Sequence, residues 1–217
     1  MNDFKIQSGQ KIVLIGDSIT DCGRRDYSPP LGDGYVSMAA NLTTVKYPGR
    51  NIEWVNKGIS GDFVEGLAER WTRDVLEEKP NWISIDIGIN NVASDYEAKR
   101  DLNESLRDFK ESYHWILNES RGKTSAKLIM FEVFYVKEED QLRREFKIAP
   151  YNEIIRRLAA EYNAILIPVN SAFEQVVSAR PGYLWTSGDG VHPLPVGHAL
   201  IALTFLEALA WQSSIDK

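Results

Sequence analysis

The chain has 217 residues, 43% hydrophobic and 26% charged, with a formal net charge of −6. That size and composition suit one globular domain, residues 1–217, with a sizeable core. The acidic balance argues against general affinity for nucleic acid or an anionic membrane surface, and the single cysteine, Cys22, excludes an intrachain disulfide or a cysteine-based metal cluster.

Met1–Lys5 leads into polar residues, and no apolar stretch is long enough for a signal peptide or a membrane span. A cytoplasmic location is the expectation. The basic pairs Arg143-Arg144 and Arg156-Arg157 sit beside acids in helical patterns and read as solvated faces.

In chain order, short runs rich in Ile, Val and Leu predict strands at 11–15, 51–56, 82–87, 127–131 and 165–168. Their near-continuous apolar character suits strands covered on both faces of a parallel sheet. Helices are predicted between them. A modest candidate spans 33–42. The next, 62–76, has Asp62 as its cap and Val64, Leu67, Ala68, Trp71 and Val75 on one face. Leu102, Leu106, Phe109, Tyr113 and Ile116 mark a third. Tyr151, Ile154, Ile155, Leu158, Ala159 and Tyr162 mark a fourth, with Pro150 at its first position. A last helix runs from about Pro195 to Trp211. This β-α alternation predicts a doubly wound α/β fold with right-handed crossovers. Ligands in such sheets bind beyond the carboxyl ends of the strands.

Four segments follow strands or close the last loop: Gly16-Asp17-Ser18, Asn56 to Asp62, Gly88-Ile89-Asn90-Asn91, and Asp189 to Pro193. Acyl transfer needs a nucleophile, a base, a group that orients the base, and donors for an oxyanion. Ser18 is the candidate nucleophile, His192 the base and Asp189 its orienter. The candidate donors are the backbone N–H groups of Ser18 and Gly61 and the Asn90 side chain. Taken singly, each has an ordinary reading: a turn serine, a loop histidine, turn glycines, an asparagine closing its own turn. Their joint placement at one sheet rim points to esterase chemistry.

The four blocks resemble the SGNH/GDSL hydrolase family: Gly16 to Thr20, Asn56 to Gly61, Gly88 to Asn91, and Asp189 to Pro193, in family order. The resemblance implies a three-layer α/β/α sandwich, flavodoxin-like, with a parallel sheet of about five strands. It implies ester or thioester hydrolysis through an acyl-enzyme, with no metal or organic cofactor. Carried over, Ser18, Asp189 and His192 form the triad, and Ser18, Gly61 and Asn90 the oxyanion hole. One position departs: Asn91 stands where the family usually has an aspartate, which predicts an altered loop network.

Ile12 to Cys22, Asn56 to Gly61, Arg70-Trp71 and Val191 to Gly197 are similar to the intracellular bacterial acetylxylan esterases. That likeness implies an acetylated xylo-oligosaccharide as the small-molecule substrate, and a homo-oligomer. Trp185 matches loosely a tryptophan that the subgroup places before its terminal aspartate. Asp17 either touches substrate or holds the nucleophile turn. Tyr27, Tyr35, Tyr183 and Trp185 offer a flat surface for a sugar ring, or fill cores and subunit contacts. Cys22 has no base near it in sequence and reads as a small buried filler. The competing readings are a thioesterase or lysophospholipase of the same fold, and a noncatalytic carbohydrate-binding protein.

Overall fold

Five predicted strand runs become five strands: β1 (Lys11–Gly16), β2 (Glu53–Asn56), β3 (Trp82–Asp86), β4 (Lys127–Phe131) and β5 (Ile165–Ile167). The computed structural model describes residues 4–136 and 147–211. All four pairings are parallel, in the order β2-β1-β3-β4-β5. This is the flavodoxin-like order, whose direction of winding reverses between β1 and β3. Gly16 is in register with Asp86 there, so the two central strands end side by side.

Eight helices flank the sheet among the described residues: α1 (Ser18–Asp21), α2 (Tyr35–Lys46), α3 (Val64–Trp71), α4 (Ile89–Glu97), α5 (Leu102–Lys123), α6 (Ile148–Glu161), α7 (Val169–Ala179) and α8 (Pro195–Ala208). Helix α8 packs on α2 and α7; α5 packs on α3, α4 and α6. The two groups give the three-layer architecture that the block pattern implies. Ile12 to Ile15 of β1, and Ile83 and Ile85 of β3, are fully buried, as strands covered on both faces must be.

Three helices have no counterpart in the predicted elements: α1, α4 and α7. The predicted helix over 62–76 is α3 followed by a wider π turn at Thr72–Leu76. Its start also differs. Phe63, with no side-chain bond, takes the cap position, while Asp62 Oδ2 receives Arg70. Pro150 lies in the first turn of α6, which begins two residues earlier, at Ile148. Arg157 pairs with exposed Glu153, in keeping with a solvated charged face, whereas Arg156 reaches inward to the buried Glu132. Arg143-Arg144 lies outside the described residues.

Candidate active site

The β1 strand delivers Ser18 through an abrupt turn. Asp17 caps α1, its Oδ1 accepting the Ile19 N–H at 3.0 Å. Ser18 therefore sits at the first helical position, where a backbone N–H has no intrahelical acceptor. Cys22 ends the helix in a left-handed conformation, φ 41°.

The last loop brings the other two residues in. It folds back on itself through Ser187 N–H to His192 O and Leu194 N–H to Trp185 O, at 2.8 and 3.0 Å. Gly190, at φ +72°, lies where a Cβ would press on the Tyr135 ring and the Val136 carbonyl. Asp189 Oδ1 accepts the N–H groups of Val191 and His192, each at 2.9 Å. Its Oδ2 lies 2.6 Å from His192 Nδ1, and His192 Nε2 lies 3.0 Å from Ser18 Oγ. Burial alone would push the Asp189 carboxyl up; the His192 ring and the two backbone donors outweigh it and hold the group below the usual carboxylate range. An ionised Asp189 fixes the proton on Nδ1 and leaves Nε2 as an acceptor for the Ser18 hydroxyl.

The second segment passes close by. Asn56 Nδ2 donates to the Thr20 carbonyl at 2.6 Å, Arg24 Nε to the Gly58 carbonyl at 2.6 Å, and Ser60 N–H to Asp21 Oδ2 at 3.0 Å. A side chain on Gly58 would collide with the α1 backbone at Asp21. Gly61 sits at φ +80° in this loop. Neither its N–H nor that of Ser18 has an acceptor among the described residues. Asn90, in the first turn of α4, donates Nδ2 to the Asp62 carbonyl at 2.9 Å, which leaves the second amide hydrogen for a ligand.

Ser18 and His192 line an open cleft of about 380 Å³, together with Asp21, Asp26, Tyr27, Asp33 and Ser60. Tyr27 is exposed and lines this cleft. One of the other named candidates, Tyr35, is corrected. Tyr35 is fully buried, its hydroxyl 3.1 Å from Thr20 Oγ1 and its ring against Phe131. Asp17 takes the second of its two expected roles, holding the nucleophile turn: it is buried beneath it, where desolvation raises its pKa, as it does that of its neighbour Asp86. Trp185 packs edge-on against Tyr183 at 5.0 Å between ring centres and is not among the residues lining the cleft.

The structure also corrects the surroundings of Cys22. A base does stand beside it: His198 Nε2 is 3.3 Å from Cys22 Sγ. His198 Nδ1 accepts the Tyr35 N–H at 3.3 Å, so Nε2 carries the proton and donates to sulfur. Burial lowers the His198 pKa to about 4 and raises the Cys22 pKa to about 12, so both are neutral. Cys22 is therefore not the buried filler expected: it is half-buried, lines the cleft and forms one half of a neutral pair. His198 and Arg70 are the main structural residues of the site that residue-level reading passes over. The i, i+4 spacing of Arg70 and Asp74 beside the apolar face of α3 was the available signal for the latter.

A switch-point cleft holding a serine, a histidine and an aspartate in one hydrogen-bonded line defines a hydrolase of the acyl-transferring kind. The sequence pattern of the GDSL-like Lipase/Acylhydrolase family matches residues 14–200. The chain is 34% identical to an acetylxylan esterase of Geobacillus stearothermophilus over 96% of its own length and 98% of the relative's. The crystal structure of Axe2, an acetylxylan esterase of that organism, superposes with a TM-score of 0.82 at 34% identity, covering 96% of this chain and 97% of that one. LAE5, an alpha/beta hydrolase from the Lake Arreo metagenome, superposes with a TM-score of 0.84 at 27% identity, covering 98% and 100%. Axe2 has also been solved as catalytic mutants in which a serine, a histidine or an aspartate is replaced by alanine. The chain belongs to the GDSL-like lipase/acylhydrolase family and is a carboxylic ester hydrolase.

Proposed function

We propose that this protein, one hydrolase domain over residues 1–217, removes acetyl groups from acetylated xylo-oligosaccharides through an acyl-serine. The observation that carries the reading is the line from Asp189 through His192 to Ser18, with distances of 2.6 and 3.0 Å. Ser18 Oγ attacks the ester carbonyl as its proton passes to His192 Nε2, and Asp189 stabilises the resulting imidazolium. The oxyanion is taken by the Ser18 and Gly61 N–H groups and the free Asn90 amide hydrogen. Collapse expels the sugar oxygen, which takes the proton from His192, and leaves acetyl-Ser18. Water, deprotonated by His192, then releases acetate. Loss of one oxyanion donor costs about 3–4 kcal/mol of transition-state stabilisation.

The cleft supports a small acyl group on a polar alcohol. Three carboxylates, two serine hydroxyls and one exposed tyrosine alternate with Ile19, Cys22, Pro193 and Pro195 along its open walls, which do not form the enclosed apolar tunnel that a long acyl chain needs. The relatives' acetylxylan activity points the same way. No helix among the described residues is long and apolar enough to cross a membrane. The cytoplasmic location and homo-oligomeric assembly implied by the subgroup resemblance form part of this proposal; light scattering tests the assembly.

The functional test is a substrate panel with the wild type and Ser18→Ala. Acetylated xylo-oligosaccharides and two-carbon 4-nitrophenyl esters should turn over in the wild type and not in the variant. A steady rise in kcat/KM from two-carbon to eight-carbon esters would favour the thioesterase or lysophospholipase reading. Unchanged turnover by a folded Ser18→Ala protein would remove Ser18 as nucleophile.

A further inference from the structure

We infer that Arg70 is a positioning residue for the oxyanion donors, acting through the loop that carries Gly61; the inference rests on the donor assignment proposed above. Arg70 lies on α3, buried and away from the cleft lining. Its guanidinium nevertheless binds two of the strand-end segments directly and reaches the third through Asp62. Nη2 donates to the Gly16 carbonyl at 3.3 Å, two residues before Ser18. Nη1 donates to the Lys57 carbonyl at 2.7 Å, at the start of the Gly61 loop. Nε and Nη2 both reach Asp62 Oδ2, each at 2.8 Å, at the end of that loop. The Asp62 carbonyl in turn receives the Asn90 side chain at 2.9 Å.

Gly61 is thus held between two fixed neighbours. Asp21 grips Ser60 through its N–H and hydroxyl at 3.0 and 3.1 Å, and Arg70 grips Asp62. A glycine at φ +80°, with open space where a side chain would stand, would otherwise be free to turn its N–H away. Helix α3 is shaped for the clamp: a side chain on Gly66 would collide with Asp62 Oδ1. Asp74 Oδ2, 2.9 Å from Arg70 Nη1, supplies a second negative partner, so the buried cation has two carboxylates around it. Only a planar fork of five donors can serve these acceptors at once; a lysine ammonium cannot span them. Oxyanion donors act by being held in place before the reaction, so a displacement well under the size of an atom is felt in rate before it is felt in binding.

Arg70→Lys, Asp62→Asn and Asn90→Ala are compared on 4-nitrophenyl acetate, with reactive serines titrated by the 4-nitrophenol burst from diethyl 4-nitrophenyl phosphate. Expected for Arg70→Lys and Asp62→Asn is a fall in kcat per titrated site of about 10- to 100-fold, with KM within about twofold of wild type. Asn90→Ala should lose about 100- to 1000-fold. If Arg70→Lys fails to fold, Asp62→Asn decides alone. Wild-type kcat per site in the clamp variants, beside a large loss in Asn90→Ala, overturns the role of Arg70 and leaves the donor assignment standing. A loss seen only as fewer titratable sites also overturns it, because that is a folding effect. Wild-type kcat in Asn90→Ala removes the donor assignment itself, and this inference with it.

Discussion

Asn91 donates its side-chain amide to Glu65 Oε2 over 2.9 Å, while its Oδ1 accepts the Val64 N–H at 3.2 Å. The amide at this position therefore does two things. Its oxygen satisfies the first N–H of α3, which a carboxylate could do equally well. Its nitrogen binds an acidic residue one position further along, which a carboxylate would repel. The departure from the family's aspartate is matched by Glu65.

Asn91→Asp should therefore destabilise the protein by about 1 kcal/mol: a bond to a charged acceptor is lost and a like-charge contact appears, partly offset by a new negative charge at a helix start. For a chain of this size that is a fall in Tm of about 2–4 °C. Adding Glu65→Gln to the variant should recover most of it, and the double-mutant cycle measures the coupling. A Tm at or above wild type for Asn91→Asp would show that the pair does not matter to the fold.

Much of this architecture is legible from residue type. Buried parallel strands read as uninterrupted apolar runs, and Asp189 and His192 lie close enough in sequence to be read as a pair. What stays hidden has physical reasons. Helix α1 has four residues, too few for any periodicity. Helix α4 opens on the Gly88 turn, so its signal is that of a loop, and α7 follows β5 with only Pro168 between them, so two apolar patterns merge. Side-chain direction is harder still. Tyr35 turns into the core because Phe131 of β4 waits there, and the base beside Cys22 comes from 176 residues away.

Asp189→Asn should reduce kcat on 4-nitrophenyl acetate by about 10²–10⁴-fold, since an amide neither fixes the Nδ1–H tautomer nor stabilises the imidazolium. The same carboxylate ties stability to pH. Its folded-state pKa lies below its unfolded value, so the bonds it accepts stabilise fully above the ordinary carboxylate range and are lost as pH falls through the depressed folded value. Wild type should accordingly lose more stability than Asp189→Asn as urea melts move from neutral pH to acid. A kcat within threefold of wild type would rule out Asp189 as the orienting residue.

Cys22 lines the cleft beside Ser18 but should behave as an inert thiol. Burial, with Asp33 adding to it, raises its pKa to about 12, and His198, with its pKa lowered to about 4, carries no positive charge to draw the proton off. Near pH 8 the thiolate is then roughly a thousandfold scarcer than in a free cysteine. Iodoacetamide labelling followed by mass spectrometry should be slower by about that factor in the native protein than in the urea-unfolded chain. The rate should climb about tenfold per pH unit from pH 8 to 10 while the fold persists. His198 adds a second pH signature. Its folded-state value lies below its unfolded one, so the unfolded chain binds the proton first and stability falls as pH drops from about 6.5 toward about 4. His198→Gln should flatten that limb of the curve. Native labelling within tenfold of the unfolded rate would mean that the thiol is ionised in the cleft, and the neutral-pair description would have to be abandoned.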